Sequence, residues 1–304
     1  MPEFLRLQHD VEAPVTCPAC GSLVHTVQYA YRRDGRESHF YDCAACTFLF
    51  ARPVLLGELT SRQMDGIDNA EMFNSRLMKQ LYVHLFIKRE IAKIKKHLPK
   101  PQPTLLDIGC GAGWTTRIYA DHGFQVTGLE PSAARARHAR ETYGLTIIED
   151  YLENLEVAAR YDVIVFRHVI EHFADPVALI REARRLLAPG GVMLFVVPNI
   201  NCLGRYLFDT AWAWILPWHC NFFTPKSLRT LLEGEGFECL AYYQTPSPLY
   251  FPGAFARKFN NPLTRWLVTR HKVAAMLATS PLAVAGSMLG MGDNLNAVVR
   301  VKSC

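Results

Sequence analysis

The chain lacks the N-terminal pattern that directs secretion. MPEFLRLQHDVEAP has no basic stretch followed by an apolar core, so the expected compartment is a reducing cytoplasm in which thiols stay free or bind metal. It also lacks an apolar run suited to crossing a bilayer, since the nearest, Val273 to Gly292, is broken by Pro281 and diluted by Ala, Gly, Ser and Thr. Charged residues are few, at 20%, and there is no internal repeat or low-complexity tract, while 50% of residues are hydrophobic. That balance excludes a disordered, collagen-like or coiled-coil chain. The cysteine count is odd, nine, which argues against a complete disulfide framework. Acidic residues are missing altogether from 246–292.

What is present fits one large domain with an appendage, or two domains, in 304 residues. The net charge of +5 names no partner, but its distribution is uneven. Residues 71–100 carry eight Lys/Arg against two Asp/Glu, and 246–292 carry five against none, which leaves an acidic body of net −6.

Cys17-x2-Cys20, then 22 residues, then Cys43-x2-Cys46 is the spacing of a closed four-thiolate zinc site. A unit that small cannot bury enough apolar surface to fold unaided, and structural Zn2+ would compensate. The expected organisation is therefore a zinc-ribbon β unit at 1–58, a helical linker at 59–102 and a catalytic domain at 103–304. In the linker Leu77, Leu81, Leu85, Ile91, Ile94 and Leu98 recur at helical spacing, and Pro99, Pro101 and Pro103 end it.

From Thr104 apolar runs alternate with helical stretches, the texture of βαβ units around a parallel sheet. Strands are expected at TLLDIG, QVTGLE, LTIIED, YDVIVFRH and GVMLFVVPN, with helices from Trp114, from Ser132 as N-cap and from Pro176. Pro189-Gly190-Gly191 reads as a stop before the last of those strands. FECLAYYQ and NAVVRVKS close the pattern, separated by a long basic and apolar insertion at about 246–292.

Asp107-Ile108-Gly109-Cys110-Gly111-Ala112-Gly113 follows a strand and opens a helix, where glycines admit a ligand to the backbone. The spacing departs from the dinucleotide pattern GxGxxG. An acid two residues before the first glycine suits an ammonium group better than a pyrophosphate. Glu130, 23 residues after Asp107, ends the second strand, where a carboxylate can take ribose hydroxyls. Together these features ask for an adenosine that carries an amino acid.

LLDIGCGAGWTTRIYADHGFQVTGLEPS with YDVIVFRHVIEHFADPVALIREARRLLAPGGVMLFVVPN resembles the class I S-adenosylmethionine-dependent methyltransferases of the ubiquinone-biosynthesis-like type, over roughly residues 103–245. The resemblance implies a Rossmann-like α/β sheet of seven strands, the last antiparallel. It also implies S-adenosylmethionine as methyl donor, with Asp107 and Gly109, Gly111 and Gly113 at its methionine end and Glu130 at its ribose. Asp150 and Tyr151 would flank the adenine, and Arg167 and His168 would border the reactive methyl. The cysteine unit is similar to zinc ribbons that precede the methylase domain in bacterial sugar and secondary-metabolite methyltransferases. The sugar C-methyltransferases among those continue into a further domain, a departure that turns the expectation toward O-methylation.

His219, in the aromatic stretch WAWILPWHCNFF, is the first candidate base, and His172 of IEHF the second. Trp212, Trp214, Trp218, Phe222 and Phe223 could form acceptor walls, and Asn199 could orient the acceptor. The acceptor is expected to be a small molecule or glycan, such as a sugar, lipid-linked glycan or secondary metabolite. FRHVIEH at the end of the fourth strand differs from the motifs of DNA base methylation, which disfavours DNA. The alternatives are a non-catalytic scaffold that binds the donor, or an RNA or protein methyltransferase that docks through the ribbon. The insertion could rest on the inner face of a membrane, pack on the domain, or form a homodimer interface.

Overall fold

The computed structural model describes residues 3–33, 35–54, 80, 82–155, 160–216 and 218–302. The expected linker lies outside the described residues at 59–79 and 81, so Leu77 and Leu81 are not placed. Its described end is a π-helical turn, Val83–Ile87, running into α1 (Lys88–His97), whose Ile91 and Ile94 are buried.

The main sheet contains β5 (Thr104–Ile108), β6 (Gln125–Leu129), β7 (Thr146–Ile148), β8 (Tyr161–Arg167), β9 (Leu187–Pro198), β11 (Phe237–Thr245) and β12 (Asn294–Val301). Their order across the sheet is β7-β6-β5-β8-β9-β12-β11. β5 pairs in parallel with both β6 and β8, and β12 runs antiparallel between β9 and β11. Leu105, Leu106, Val163, Ile164, Val165 and Leu194 are all buried. These strands read as continuous apolar runs because helices cover both faces of a parallel sheet. The expected fold class is the one observed.

Chain order reverses at β5, whose two neighbours are β6 and β8. Such a reversal opens a crevice at the carboxyl ends of the strands, where ligands of open α/β sheets sit. Helices α2 (Trp114–Asp121), α3 (Ala133–Tyr143) and α4 (Pro176–Arg185) return the chain between strands. Ser132 caps α3 by accepting from the Arg135 amide, and Asp175 caps α4 by accepting from Ala178.

The cysteine unit is a second, antiparallel sheet of β1 (Glu3–Thr16), β2 (Leu23–Arg33), β3 (Arg36–Asp42) and β4 (Leu49–Arg52). A fifth strand, β10 (Asn221–Phe222), joins it from the far part of the chain, pairing Asn221 with Phe50 and Phe222 with Leu49. The unit therefore shares its sheet and its core with the catalytic domain. Phe48 and Phe50 lie in one cluster with Ile170, Phe223 and Leu228, and Tyr29, Phe40 and Leu49 in another with Trp212, Trp214 and Phe222. The Thr47 hydroxyl also meets that of Thr224, the N-cap of α6 (Pro225–Gly234), at 2.6 Å.

Three features differ from the sequence expectation. β1 carries no apolar alternation strong enough to mark it, because it is an edge strand interrupted by two register shifts. Pro189 to Gly191 do not end an element; they form a bulge inside β9, where Tyr161 opposes Leu187 but Val163 opposes Val192. Asn199 does not face an acceptor: its amide donates to the Gly292 carbonyl at 2.8 Å and accepts from the Asn201 amide at 3.0 Å. Residues 246–292 form α7 (Phe251–Phe259), α8 (Pro262–Arg270) and α9 (Lys272–Met288), packed beside α5 (Leu203–Phe208). Among the described residues no helix is long and apolar enough to cross a membrane.

Candidate active site

The glycine loop leaves β5 at Ile108 and enters α2 at Trp114, with Gly109, Gly111 and Gly113 all at positive φ, +65°, +57° and +83°. The three are not equivalent. A Cβ on Gly109 would strike Val169 at 2.8 Å, and one on Gly113 would strike Ala139 at 2.6 Å, so these two serve packing. A Cβ on Gly111 would meet nothing within 4 Å, which leaves its face open to a ligand. The N-cap of α2, Gly113, supplies no side-chain cap. Gly128 was not singled out from sequence, yet a Cβ there would meet Cys110 Sγ at 2.6 Å and push the loop off the sheet.

Asp107 is buried beneath this loop and accepts from the Thr116 hydroxyl at 2.6 Å. Burial pushes its carboxyl up to about 6, against the pull of the Thr116 hydrogen bond. Glu130 faces the loop from the end of β6 and accepts the Gly111 amide at 2.9 Å and the Ser132 amide at 3.0 Å. These bonds fix the carboxylate plane. Asp150 and Tyr151 follow β7 on the same edge; Asp150 accepts from the Tyr151 amide and the Asn154 side chain, and the Tyr151 ring is exposed.

Arg167 and His168 end β8 but point to different tasks. The Arg167 guanidinium is paired with buried Glu90 of α1, which also accepts from the Tyr119 hydroxyl at 3.0 Å. His168 sits at φ +53°, a strained value for a non-glycine residue, and its ring stacks on Trp214 at 4.5 Å. The Glu90 partnership had no sequence signal, because 77 residues separate the two groups.

His172 and His219, the two candidate bases, come together with ring centroids 4.7 Å apart. Glu171, which sequence reading passed over although it adjoins His172, completes the group. One ligand-type atom from each of Glu171, His172 and His219 lies within 4.8 Å of the others. Glu171 is fully buried and His219 is 2% exposed, yet Glu171 Oε2 and His219 Nδ1 have no hydrogen-bond partner. Burial pulls both imidazoles below their ordinary range, His219 furthest because the rings of His172 and His168 add to the effect. His219 is thus a neutral imidazole at pH 7 with an open nitrogen. Trp214, Tyr250 and Phe222 wall the group, with Trp214 and Tyr250 4.6 Å apart. Cys220, beside His219, is pushed up to about 12 by burial and is no nucleophile.

The cysteine quartet is assembled independently at the turns before β2 and β4. Cys17 and Cys46 sulfurs are 3.6 Å apart, as are those of Cys20 and Cys43, and all four lie within 4.8 Å of one another. Tetrahedral thiolates about 2.3 Å from zinc have sulfur edges of roughly 3.8 Å. Both turns use the same device, a left-handed residue after the second cysteine, Gly21 at φ +74° and Thr47 at φ +61°.

The contrast between the glycines is testable. Gly113→Ala is expected to lower stability by about 2 kcal/mol or more through strain and collision with Ala139, read as the urea midpoint. Gly111→Ala, with only the conformational strain, should lose about half of that or less.

A methyltransferase-domain family model matches residues 80–242. A ubiquinone biosynthesis O-methyltransferase of Caulobacter vibrioides is 33% identical over 180 residues, covering 54% of this chain and 66% of the relative. One of Cereibacter sphaeroides is 34% identical over 173 residues, covering 50% and 69%. A solved Galdieria sulphuraria structure, provisionally assigned as a sarcosine dimethylglycine methyltransferase, superposes with TM-score 0.50 at 18% identity, over 76% of this chain and 89% of that one. With the matched model spanning more than half the chain and the strand order around the open glycine loop, the protein belongs to the class I S-adenosylmethionine-dependent methyltransferases.

Proposed function

We propose that this enzyme transfers the methyl group of S-adenosylmethionine to a hydroxyl of a small-molecule acceptor, with His219 as the base. Asp107 would take the donor's ammonium, the backbone of Gly109 to Gly113 would lie against its methionine end, Glu130 would take the ribose hydroxyls, and Asp150 and Tyr151 would flank the adenine. Arg167, held by Glu90, and His168 would border the methyl. The observation that carries the reading is the buried neutral His219 with an open Nδ1 in an aromatic pocket beside the carboxyl end of β8. The acceptor oxygen attacks the methyl carbon, the carbon–sulfur bond breaks with its electron pair left on sulfur, and the hydroxyl proton passes to His219. A ring-bearing acceptor, phenolic or sugar, suits walls made by Trp214, Tyr250 and Phe222. The names of the relatives support an oxygen acceptor.

His219→Gln should lower kcat by about 10²–10⁴-fold in a methyl-transfer assay against a panel of phenolic and sugar acceptors. Binding of S-adenosylhomocysteine should be unchanged. Retention of both kcat and binding would remove His219 from the chemistry. Glu171, His172 and His219 also make a donor set suited to a divalent cation. Metal analysis separates that second reading: a single zinc per chain supports the base, whereas a further equivalent lost in His219→Gln supports the cation.

Asp107 gives a pH test. Its folded-state value near 6 lies above the ordinary carboxylate value of 3.8, so the buried charge is nearly absent below about pH 4, half present near pH 6 and nearly complete above about pH 7. An ammonium ligand binds the ionised form. Calorimetry should show S-adenosylhomocysteine affinity level above about pH 7, halved near pH 6 and weakening by up to about tenfold per unit below that. Asp107→Asn should bind weakly at every pH; a wild-type-like affinity in that variant would overturn the assignment.

We assign structural Zn2+ to Cys17, Cys20, Cys43 and Cys46, a closed shell that matches the sulfur spacing. Because β10 is a strand of the same sheet, zinc removal should raise amide exchange across 219–224 as well as 3–54. The peptide covering 104–113 should keep its protection. Exchange confined to 3–54 would show that the metal supports only its own unit.

A further inference from the structure

We infer that the outer face of α8 and α9 is a docking surface for an anionic phospholipid bilayer, on which the enzyme lies without crossing it. Among the described residues, nine of the fourteen large hydrophobic side chains that are exposed fall between Phe259 and Leu289. Leu263, Trp266, Leu277, Leu282, Met288 and Leu289 belong to this set, with Met288 83% and Leu263 70% exposed. Isolated exposed leucines are ordinary in soluble proteins, but so many concentrated in one segment mark a surface that meets something apolar.

The orientation of α9 is fixed by its inner side. Ala275, Met276, Ala283 and Gly286 are buried, and Gly286 packs so closely on α5 that a Cβ there would meet Leu203 at 2.8 Å. The other side must face outward, and from Val273 to Gly292 it has no charged residue. Pro281 inside α9 and the short α8 before it keep the segment from forming one long span. A helical pair with one packed and one apolar outer side, flanked by basic residues, is the form that sits in a membrane interface.

Charge selects the occupant. Residues 246–292 carry Arg257, Lys258, Arg265, Arg270 and Lys272 and no acidic residue. A second copy meeting this face across a twofold axis would bring the exposed Lys258 and Arg270 toward their own copies with no carboxylate of the segment to pair them. A leaflet with anionic headgroups supplies both the apolar layer and the counter-charge, with each Lys or Arg near it adding to the attraction.

The face adjoins the acceptor side of the active site. The turn Pro248–Tyr250 leads into α7, and the Tyr250 ring packs on Trp214, which stacks on His168. An acceptor dissolved in the leaflet would therefore have a short path to the aromatic pocket. This last step rests on the proposed acceptor site, whereas docking itself does not.

Flotation tests docking without any need for turnover. The full-length zinc-loaded protein is mixed with vesicles of phosphatidylcholine alone, or of phosphatidylcholine with an equal part of phosphatidylglycerol. It should float with the anionic vesicles and remain behind with the neutral ones, and added salt should release it. The fluorescence of Trp266 should shift to the blue on binding, and Trp266→Phe should abolish the shift. Leu277→Ser with Met288→Ser should weaken partition at least about tenfold, and Lys258→Gln with Arg270→Gln by a similar factor. Both double variants should keep wild-type melting and S-adenosylhomocysteine binding. Absence of flotation, flotation unaffected by either double variant, or a concentration-dependent dimer abolished by Leu277→Ser with Met288→Ser would each overturn the proposal.

Discussion

The backbone pairing between β10 and β4 determines where the chain just before β10, with His219, can stand. Asn221 and Phe222 are two residues long as a strand, yet they carry His219 and Cys220 immediately before them. The Ala51 amide donates to the Cys220 carbonyl at 2.8 Å, and the Cys220 amide donates to the Glu171 carbonyl at 2.9 Å. One peptide is thus gripped from both sides, by the cysteine unit and by the turn after β8. This grip holds the chain next to His219, whose own amide donates to the Leu216 carbonyl at 3.0 Å and whose ring is also hydrogen-bonded to the Trp214 backbone. The apolar contacts around the strand, Phe40 on Phe222 and Phe48 on Phe223, exclude water from both bonds and so strengthen them.

The donor half follows a different logic, in which stability is given up for binding. A carboxyl raised from 3.8 to about 6 carries a penalty of roughly 3 kcal/mol when ionised. Thr116 offsets part of it, but a cation placed over the loop would relieve more. Gly109, Gly113 and Gly128 surround the loop with contacts too close for a Cβ. That packing makes the loop rigid enough that Gly111 can stay open without collapsing. Glu130 adds a second brace by holding the Gly111 amide.

The glycine loop and its two acids were legible because their determinants are local. Asp107, the three glycines and Glu130 lie within one βαβ unit, and strand, turn and helix signals agree at each step. The cysteine quartet was legible for the same reason, as two short knuckles with fixed spacing. What sequence could not show was contact across long separations. Nothing in LFAR announces that it pairs with Asn221 and Phe222, or that Glu90 reaches Arg167. β1 was hidden by its exposure as an edge, and the bulge at Gly190 resembled a stop because the same residues serve both purposes. The matched family region, residues 80–242, leaves the cysteine unit outside, so its union with β10 is a property of this chain's own topology.

The electrostatics of the histidine group suit a sulfonium donor in a way that a charged base would not. Burial together with His172 and His168 keeps His219 neutral, so the proposed base adds no charge to the sulfonium before transfer, and the Arg167 guanidinium proposed to border the methyl is itself paired with Glu90. As the acceptor oxygen gives up its proton, the positive charge leaves sulfur and appears on the imidazole. That new cation would be costly in a dry pocket. Glu171 answers the difficulty: it is fully buried, its Oε2 is unpartnered, and it lies within 4.8 Å of the two imidazoles. A carboxylate in that place stabilises the charge where it arrives, which is the arrangement that lowers a barrier. Glu171 therefore acts in the proposed reaction through His219, and its burial is part of its effect.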